Sequence, residues 1–275
     1  HFKEFAARAS AECLLWFLRD HVETDAGSGF DDVLEDGQWK LDPDDDAPSK
    51  LLQARYGVVP WHNVGREKLL ADLDAWADDA AKPVSAWLLH AAGGAGKTRL
   101  ALEWIRRRRK RHDVAGFLGP NAGALWLARL EADPRAMMVV IDYAETYGEK
   151  WSALPELLDK VVKLGESSKP GLRLRVLLLA RNNGDWWAVL SNSPKRKSLF
   201  SVVDELPPLA AALEDRQTVW EEAVQAFAAR REISPATVAR VPPKGAIFSR
   251  VLYLHMAALL AVEHARSPAD TSKPV

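Results

Sequence analysis

Apolar residues along this chain follow two rhythms, and the change from one to the other divides it. From Phe2 to His21 they recur at Phe2, Phe5, Ala9, Cys13, Trp16 and Phe17, a helical spacing that predicts one buried stripe. Between Glu23 and Ser49 the period is lost and acids accumulate, ending in Asp44-Asp45-Asp46, so loop or linker is expected there. Arg66 to Ala81 is again amphipathic, through Leu69, Leu70, Leu73, Trp76 and Ala80, and Pro83 closes it. Short apolar runs then appear at Ala86–Ala91, Val114–Leu118, Met137–Ile141 and Leu172–Ala180, and a fifth strand is expected in Leu199–Leu206. Helical stretches around Leu100–Arg108, Ala122–Leu130 and Leu154–Leu164 separate the first four. Buried strands alternating with helices predict an α/β three-layer sandwich on a parallel, doubly wound sheet.

Beyond Pro208 the strand signals stop, and Thr218–Arg231 and Ile247–His264 read as helices. The expected organisation is therefore an N-terminal helix and acidic linker over 1–58, a nucleotide-binding domain over 59–208 and a helical lid over 209–275. Composition agrees with a folded chain: 48% hydrophobic and 27% charged residues in 275 exclude disorder as the default. A net charge of −1 supplies no global field toward nucleic acid or an anionic membrane, so nucleic acid is not an expected partner. Cys13 is the only cysteine, which excludes an intrachain disulfide and a cysteine zinc cluster. No apolar run reaches the roughly 18 residues of a membrane span, and the start is not a signal peptide. A cytoplasmic protein is expected. The chain does not begin with Met and reads as a piece of something longer.

The candidate chemistry begins at His90-Ala91-Ala92-Gly93-Gly94-Ala95-Gly96-Lys97-Thr98, placed after an apolar strand and before a helix. That context suits a phosphate loop. Glycines let backbone N–H groups approach an anion, the helix directs its positive end at the same place, Lys97 neutralises the outer phosphates and the Thr98 hydroxyl ligates Mg²⁺. Arg99 stands directly behind and is expected to share in holding the nucleotide. The consensus loop has glycine where this chain has Ala91, which is tolerable if the backbone there keeps a negative φ. A second element, Met137-Met138-Val139-Val140-Ile141-Asp142, is a buried strand ending in an acid, so Asp142 can reach the metal. Glu145 is the expected acceptor for the attacking water. Arg181, at the tip of the Leu174–Ala180 strand, can meet phosphate charge with a planar fork. A GTPase is excluded by chemistry: Asp142-Tyr143-Ala144-Glu145 lacks the D-x-x-G glycine, and Asn182-Asn183-Gly184-Asp185 lacks the N-K-x-D lysine.

Other features read more plainly. The Asp42–Asp46 cluster lacks the glycine and closing glutamate of a calcium loop. Arg106–Arg111 reads as a solvated helix end, Trp186-Trp187 as core anchors and His255 as a packed histidine.

Together these segments resemble the STAND class of P-loop signal-transduction ATPases, which includes the NACHT and NB-ARC subgroups, over roughly Val59 to Leu260. Gly93-Gly94-Ala95-Gly96-Lys97-Thr98 is similar to its G-G-x-G-K-T loop, and Val64-Gly65-Arg66-Glu67 to its G-R-E segment, which places Gly65 and Arg66 near the adenine. Asp142-Tyr143-Ala144-Glu145 resembles the NACHT-type D-G-x-D/E, Leu178–Arg181 the arginine-type sensor strand, and Glu205–Leu209 the strand that leads into the lid. The G-L-P-L turn of many members is replaced by Ser249-Arg250-Val251-Leu252. The resemblance implies a slowly hydrolysing ATP/ADP switch with Mg²⁺, in bacterial defence or signalling, that couples nucleotide state to self-association or to attached effector and sensor domains. Two alternatives stay open: an AAA-type or nucleic-acid-remodelling ATPase with Asn182 or Asn183 as polar sensor, and a scaffold that binds nucleotide without turnover.

Overall fold

A computed structural model describes residues 30, 33–62, 64–111, 113–119, 122–132, 135–146, 154–167, 169–210, 212–238 and 241–266. The helix expected over Phe2–His21, with Cys13, lies outside the described residues. In chain order the elements are β1 (Leu34–Glu35), α1 (Pro48–Leu51), α2 (Glu67–Asp78), β2 (Val84–His90), α3 (Lys97–Lys110), β3 (Val114–Leu118), α4 (Gly123–Ala132) and β4 (Ala136–Ile141). They continue with α5 (Leu154–Glu166), β5 (Arg173–Ala180), α6 (Asp185–Ser191), β6 (Phe200–Glu205), α7 (Leu213–Arg230) and α8 (Val251–Arg266).

The six strands form one sheet in the order β1-β3-β4-β5-β2-β6. All pairs are parallel except β1 with β3, where Leu34 faces Leu118 and Glu35 faces Phe117. Strands in the middle of such a sheet are covered on both faces, which is why β4 is a continuous apolar run and β2 and β5 are apolar over most of their length, with Ser85 and Arg175 as buried polar exceptions. Alternate residues point to opposite layers. Leu88, Val139 and Val176 meet Trp126 of α4, Leu158 of α5 and Trp187 of α6, while Leu89, Val140 and Leu177 meet Leu73 and Trp76 of α2 and Trp104 of α3. A third cluster lies apart, where α7 and α8 pack Trp220, Phe227, Leu254 and Leu259 against Leu51 and Val59.

The acidic stretch read as linker is thus partly built in. Its strand β1 lies along the edge of β3, close enough that a Cβ on Gly116 would sit 2.7 Å from the Glu35 carbonyl oxygen. Its short α1 carries Leu51 into the core formed by α7 and α8.

Two buried arginines fix the helices beneath the sheet. Arg175 of β5 is fully buried and donates to the carbonyls of Trp76 (2.8 Å), Lys82 (3.1 Å) and Asp79, capping the C-terminal end of α2. Arg108 of α3 is also fully buried and pairs with Asp78 (2.7 Å), Asp113 (2.8 Å) and Asp74 (3.5 Å), locking α3 to α2. The run Arg106–Arg111 is therefore not a solvated face throughout, because helix phase turns Arg108 inward.

Candidate functional site

The C-terminal ends of β2, β5 and β4 open onto one crevice, where parallel α/β sheets characteristically receive ligands. After β2 the chain passes through Ala91–Gly96 and enters α3 at Lys97. Gly94 and Gly96 take φ values of +79° and +96°, which a side chain would strain. They turn the loop over the N-terminus of α3, whose unsatisfied N–H groups and dipole favour an anion. Among the described residues only Tyr143 and Glu232 combine a side chain with positive φ, so Ala91 meets the condition that its substitution for glycine sets. The Lys97 ammonium reaches back across the loop to the carbonyls of Ala91 (2.6 Å) and Ala92 (3.4 Å). Burial pulls its pKa down, while Asp142 and Glu145 pull it up.

Thr98, in the first turn of α3, donates its hydroxyl to Asp142 at 2.9 Å. The other oxygen of Asp142 accepts the Tyr143 N–H at 3.0 Å. Burial raises the Asp142 carboxyl pKa, opposed first by Arg55 and then by the Thr98 and Tyr143 hydrogen bonds. Tyr143 holds a left-handed φ of +55°, a strained conformation of the kind retained at working sites. Its phenol is pushed up to about 12 by burial and by Asp142.

Glu145 sits on a 3₁₀ turn, Ala144–Thr146, with its side chain 13% exposed. Both its carboxylate oxygens are buried without a hydrogen-bond donor among the described residues. Arg181, just past β5, holds its Nε 3.8 Å from Glu145 and its guanidinium over the Tyr143 ring at 5.5 Å. Lys97, Thr98, Asp142, Glu145 and Arg181 are thus brought to one crevice from three strand ends.

Arg99 and Arg66 are placed otherwise. Arg99 donates to the carbonyls of Ala54 and Val59, both at 3.1 Å, so it ties the upstream segment to α3 instead of facing the loop's mouth. Arg66 is 3% exposed and donates to Pro207 (2.8 Å) and Ala95 (3.4 Å), bracing the loop from behind. Burial lowers its pKa to about 10, which leaves it charged at neutral pH. Gly65 has φ +63° and open space where a Cβ would stand. Asn182 turns its side-chain oxygen to the N–H of Gly184 (3.1 Å) and to the Trp186 indole (3.3 Å).

The turn Ser249–Leu252 leads α8 onto the glycine loop: the Leu252 N–H donates to the Gly94 carbonyl at 3.1 Å, and Val251 lies against Gly96. Two further groupings escaped sequence reasoning. Arg55, from the supposed linker, acts electrostatically on Asp142. His62 joins Glu222 of α7 through Nδ1 and His255 of α8 through Nε2 (3.1 Å), so three distant segments meet in one contact. Its one sequence signal was the nearness of His62 to Gly65-Arg66.

The residues present fit a hydrated divalent cation. Thr98 and Asp142 offer two hard oxygens, and no group of three or more His, Cys, Asp or Glu able to hold a metal exists among the described residues. A cation here would need phosphate and water for its remaining ligands, the habit of Mg²⁺. Among the described residues no helix is long and apolar enough to cross a membrane.

No protein-family model matches the chain, and no curated protein matches it. Solved structures do. ORC2 from Aeropyrum pernix, determined in ADPNP and ADP complexes, is 15% identical with a TM-score of 0.53 over 82% of this chain and 69% of its own. RuvB from Thermotoga maritima, a Holliday junction branch migration motor, is 17% identical with a TM-score of 0.44 over 76% of this chain and 65% of its own. With the sheet order and the loop between β2 and α3, the likeness to ORC2 shows that this chain has the α/β fold of P-loop ATPases.

Proposed function

We propose that the chain is an ATP-binding ATPase module whose nucleotide lies between the glycine loop and the lid. The observation that carries this reading is the 2.9 Å contact of Thr98 with Asp142 beside the Lys97 ammonium. The strand ends of β2 and β4 are separated by β5, yet the chain brings their polar residues together, which a merely structural turn does not require. In this reading Gly93, Gly94, Ala95 and Gly96 receive the phosphates on backbone N–H groups, and Lys97 leaves its carbonyl partners to neutralise them. Mg²⁺, when bound by Thr98 and Asp142, supplies charge neutralisation between the phosphates. Glu145, whose oxygens accept no hydrogen bond among the described residues, accepts the proton of the attacking water, and Arg181 at its side meets charge on the outer phosphate. The ADPNP and ADP of ORC2 support an adenine nucleotide.

The lid contact through Leu252 and Gly94 favours a regulated switch of the STAND kind, because bound nucleotide would bear on the seating of α8 and on any self-association or effector coupled to it. The position of Asn182 and Asn183 past the end of β5, between β2 and β4, favours an AAA-type ATPase as the second reading. Calorimetry tests the shared core. Lys97→Ala should weaken ATP binding by about a hundredfold or more while leaving the melting temperature near that of the parent. Unchanged affinity in a folded variant overturns the reading. Nucleotide released from the denatured protein, with slow unstimulated turnover, speaks for the switch; strong stimulation by DNA or RNA speaks for the AAA-type motor.

A further inference from the structure

A groove of about 880 Å³ runs along α3, bounded by Asp36, Gln38 and Trp61. Its floor includes Leu102, and Arg106, Arg107, Arg109 and Lys110 line it. With Arg99, five cations face two acids, Asp36 and Glu103, which makes this groove strongly positive on a chain whose net charge is −1. Glu103 is shared: Arg106 contacts it at 2.6 and 2.8 Å and Arg107 at 2.8 Å, so one carboxylate serves two guanidiniums. Arg109 is held in direction by the carbonyl of Ala115 at 2.6 Å. The inward-facing Arg108 has its own acids and takes no part. The basic run therefore divides into one structural cation and a set that lines a cavity.

We propose that this groove binds a single strand of nucleic acid, with its phosphates on Arg106, Arg107, Arg109 and Lys110 and a base against the half-buried Trp61. Charge alone would also suit an acidic peptide. Two features favour the strand: three of these four cations are arginines, whose planar forks match phosphate oxygens, and an indole lines the same cavity, as base stacking requires. Because α3 begins at Lys97, a strand held here touches the helix that carries the glycine loop. The inference does not depend on the nucleotide reading, since none of the residues lining the groove belongs to Ala91–Thr98.

The test is fluorescence anisotropy of a labelled oligothymidylate and a labelled oligouridylate titrated with the whole chain across a salt series. Binding should fall with salt at a log–log slope of about −3, as expected for four single-strand phosphates. Arg106→Gln combined with Lys110→Glu changes two exposed side chains, leaves Glu103 its Arg107 partner and should weaken binding more than about tenfold in a variant that still unfolds cooperatively. Trp61→Leu should cost between about fivefold and a hundredfold. If that variant fails to fold, the charge variant decides alone. No binding at low salt, binding indifferent to the charge variant, or equal competition by polyglutamate would each overturn the proposal.

Discussion

The two ends of the crevice, the proposed phosphate end at the glycine loop and the proposed lid end at α7 and α8, are built by opposite means. At the phosphate end, β2, β4 and β5 are buried over nearly their whole length, and the polar residues follow directly from their tips. Position there comes from the backbone of a close-packed sheet. At the lid end, α7 and α8 form a separate cluster with Leu51 and Val59, and they reach the glycine loop through the Leu252–Gly94 hydrogen bond and the packing of Val251. Its polar contacts, Glu222–His62–His255, join side chains from three segments. One end is therefore fixed by its sheet, and the other, held by side chains of separate segments, is the adjustable one in the switch reading proposed above.

The largest expected effect lies at the fixed end. Glu145→Gln should retain ATP binding and lower single-turnover hydrolysis by about 10² to 10⁴; a variant cleaving at the parent rate removes Glu145 from the chemistry. Asp142→Asn comes next, with Mg²⁺-dependent ATP affinity reduced about tenfold to a hundredfold and Mg²⁺-free affinity unchanged. Calorimetry with and without the metal checks it, and equal losses in both would make Asp142 structural.

At the adjustable end, Gly94→Ala places a Cβ 2.7 Å from that of Leu252 at a φ of +79°. The lid must lift, costing about 1–2 kcal/mol and raising hydrogen exchange in the first turn of α8. Unaltered protection there would show that α8 is not seated on the loop. The smallest effect is an acid sensitivity. Burial lowers the His255 pKa to about 3 and lowers that of His62, which Glu222 partly restores; Arg99 pushes both the same way as burial. In the unfolded chain both protonate near 6.5. The unfolded state thus binds more protons below that pH, and stability complete above it is lost as pH falls toward the folded values, on the order of 1–2 kcal/mol by pH 5. Urea unfolding across this range should show the slope in the parent and a flatter one in His255→Leu. An identical slope would place the titration elsewhere.

Much of the fixed end was legible because a strand buried on both faces is mostly an apolar run. The reading Val114–Leu118 coincides with β3, and Met137–Ile141 with all but the first residue of β4. The adjustable end was poorly legible. Strand β1 is two residues in an aperiodic acidic stretch, and it exists because Gly116 lets it approach β3. Helix α6, seven residues long, is too short to show a period. Residue type announces Arg66 and Arg99 as cations beside a phosphate loop, yet their direction is set by carbonyls of Ala54, Val59 and Pro207 that come from other segments. Likewise, no local pattern pairs His62 with Glu222 or His255.

The close approach of β1 to β3 also governs how copies of this chain behave toward one another. A row of unpaired backbone groups along β3 would be a template for a strand from a second molecule. The Leu34–Glu35 pairing covers the C-terminal end of that row at Phe117 and Leu118, and Gly116 permits it by leaving no side chain in the way. Replacing Gly116 by valine would therefore matter less for catalysis than for solubility, turning a closed border of the sheet into an adhesive one.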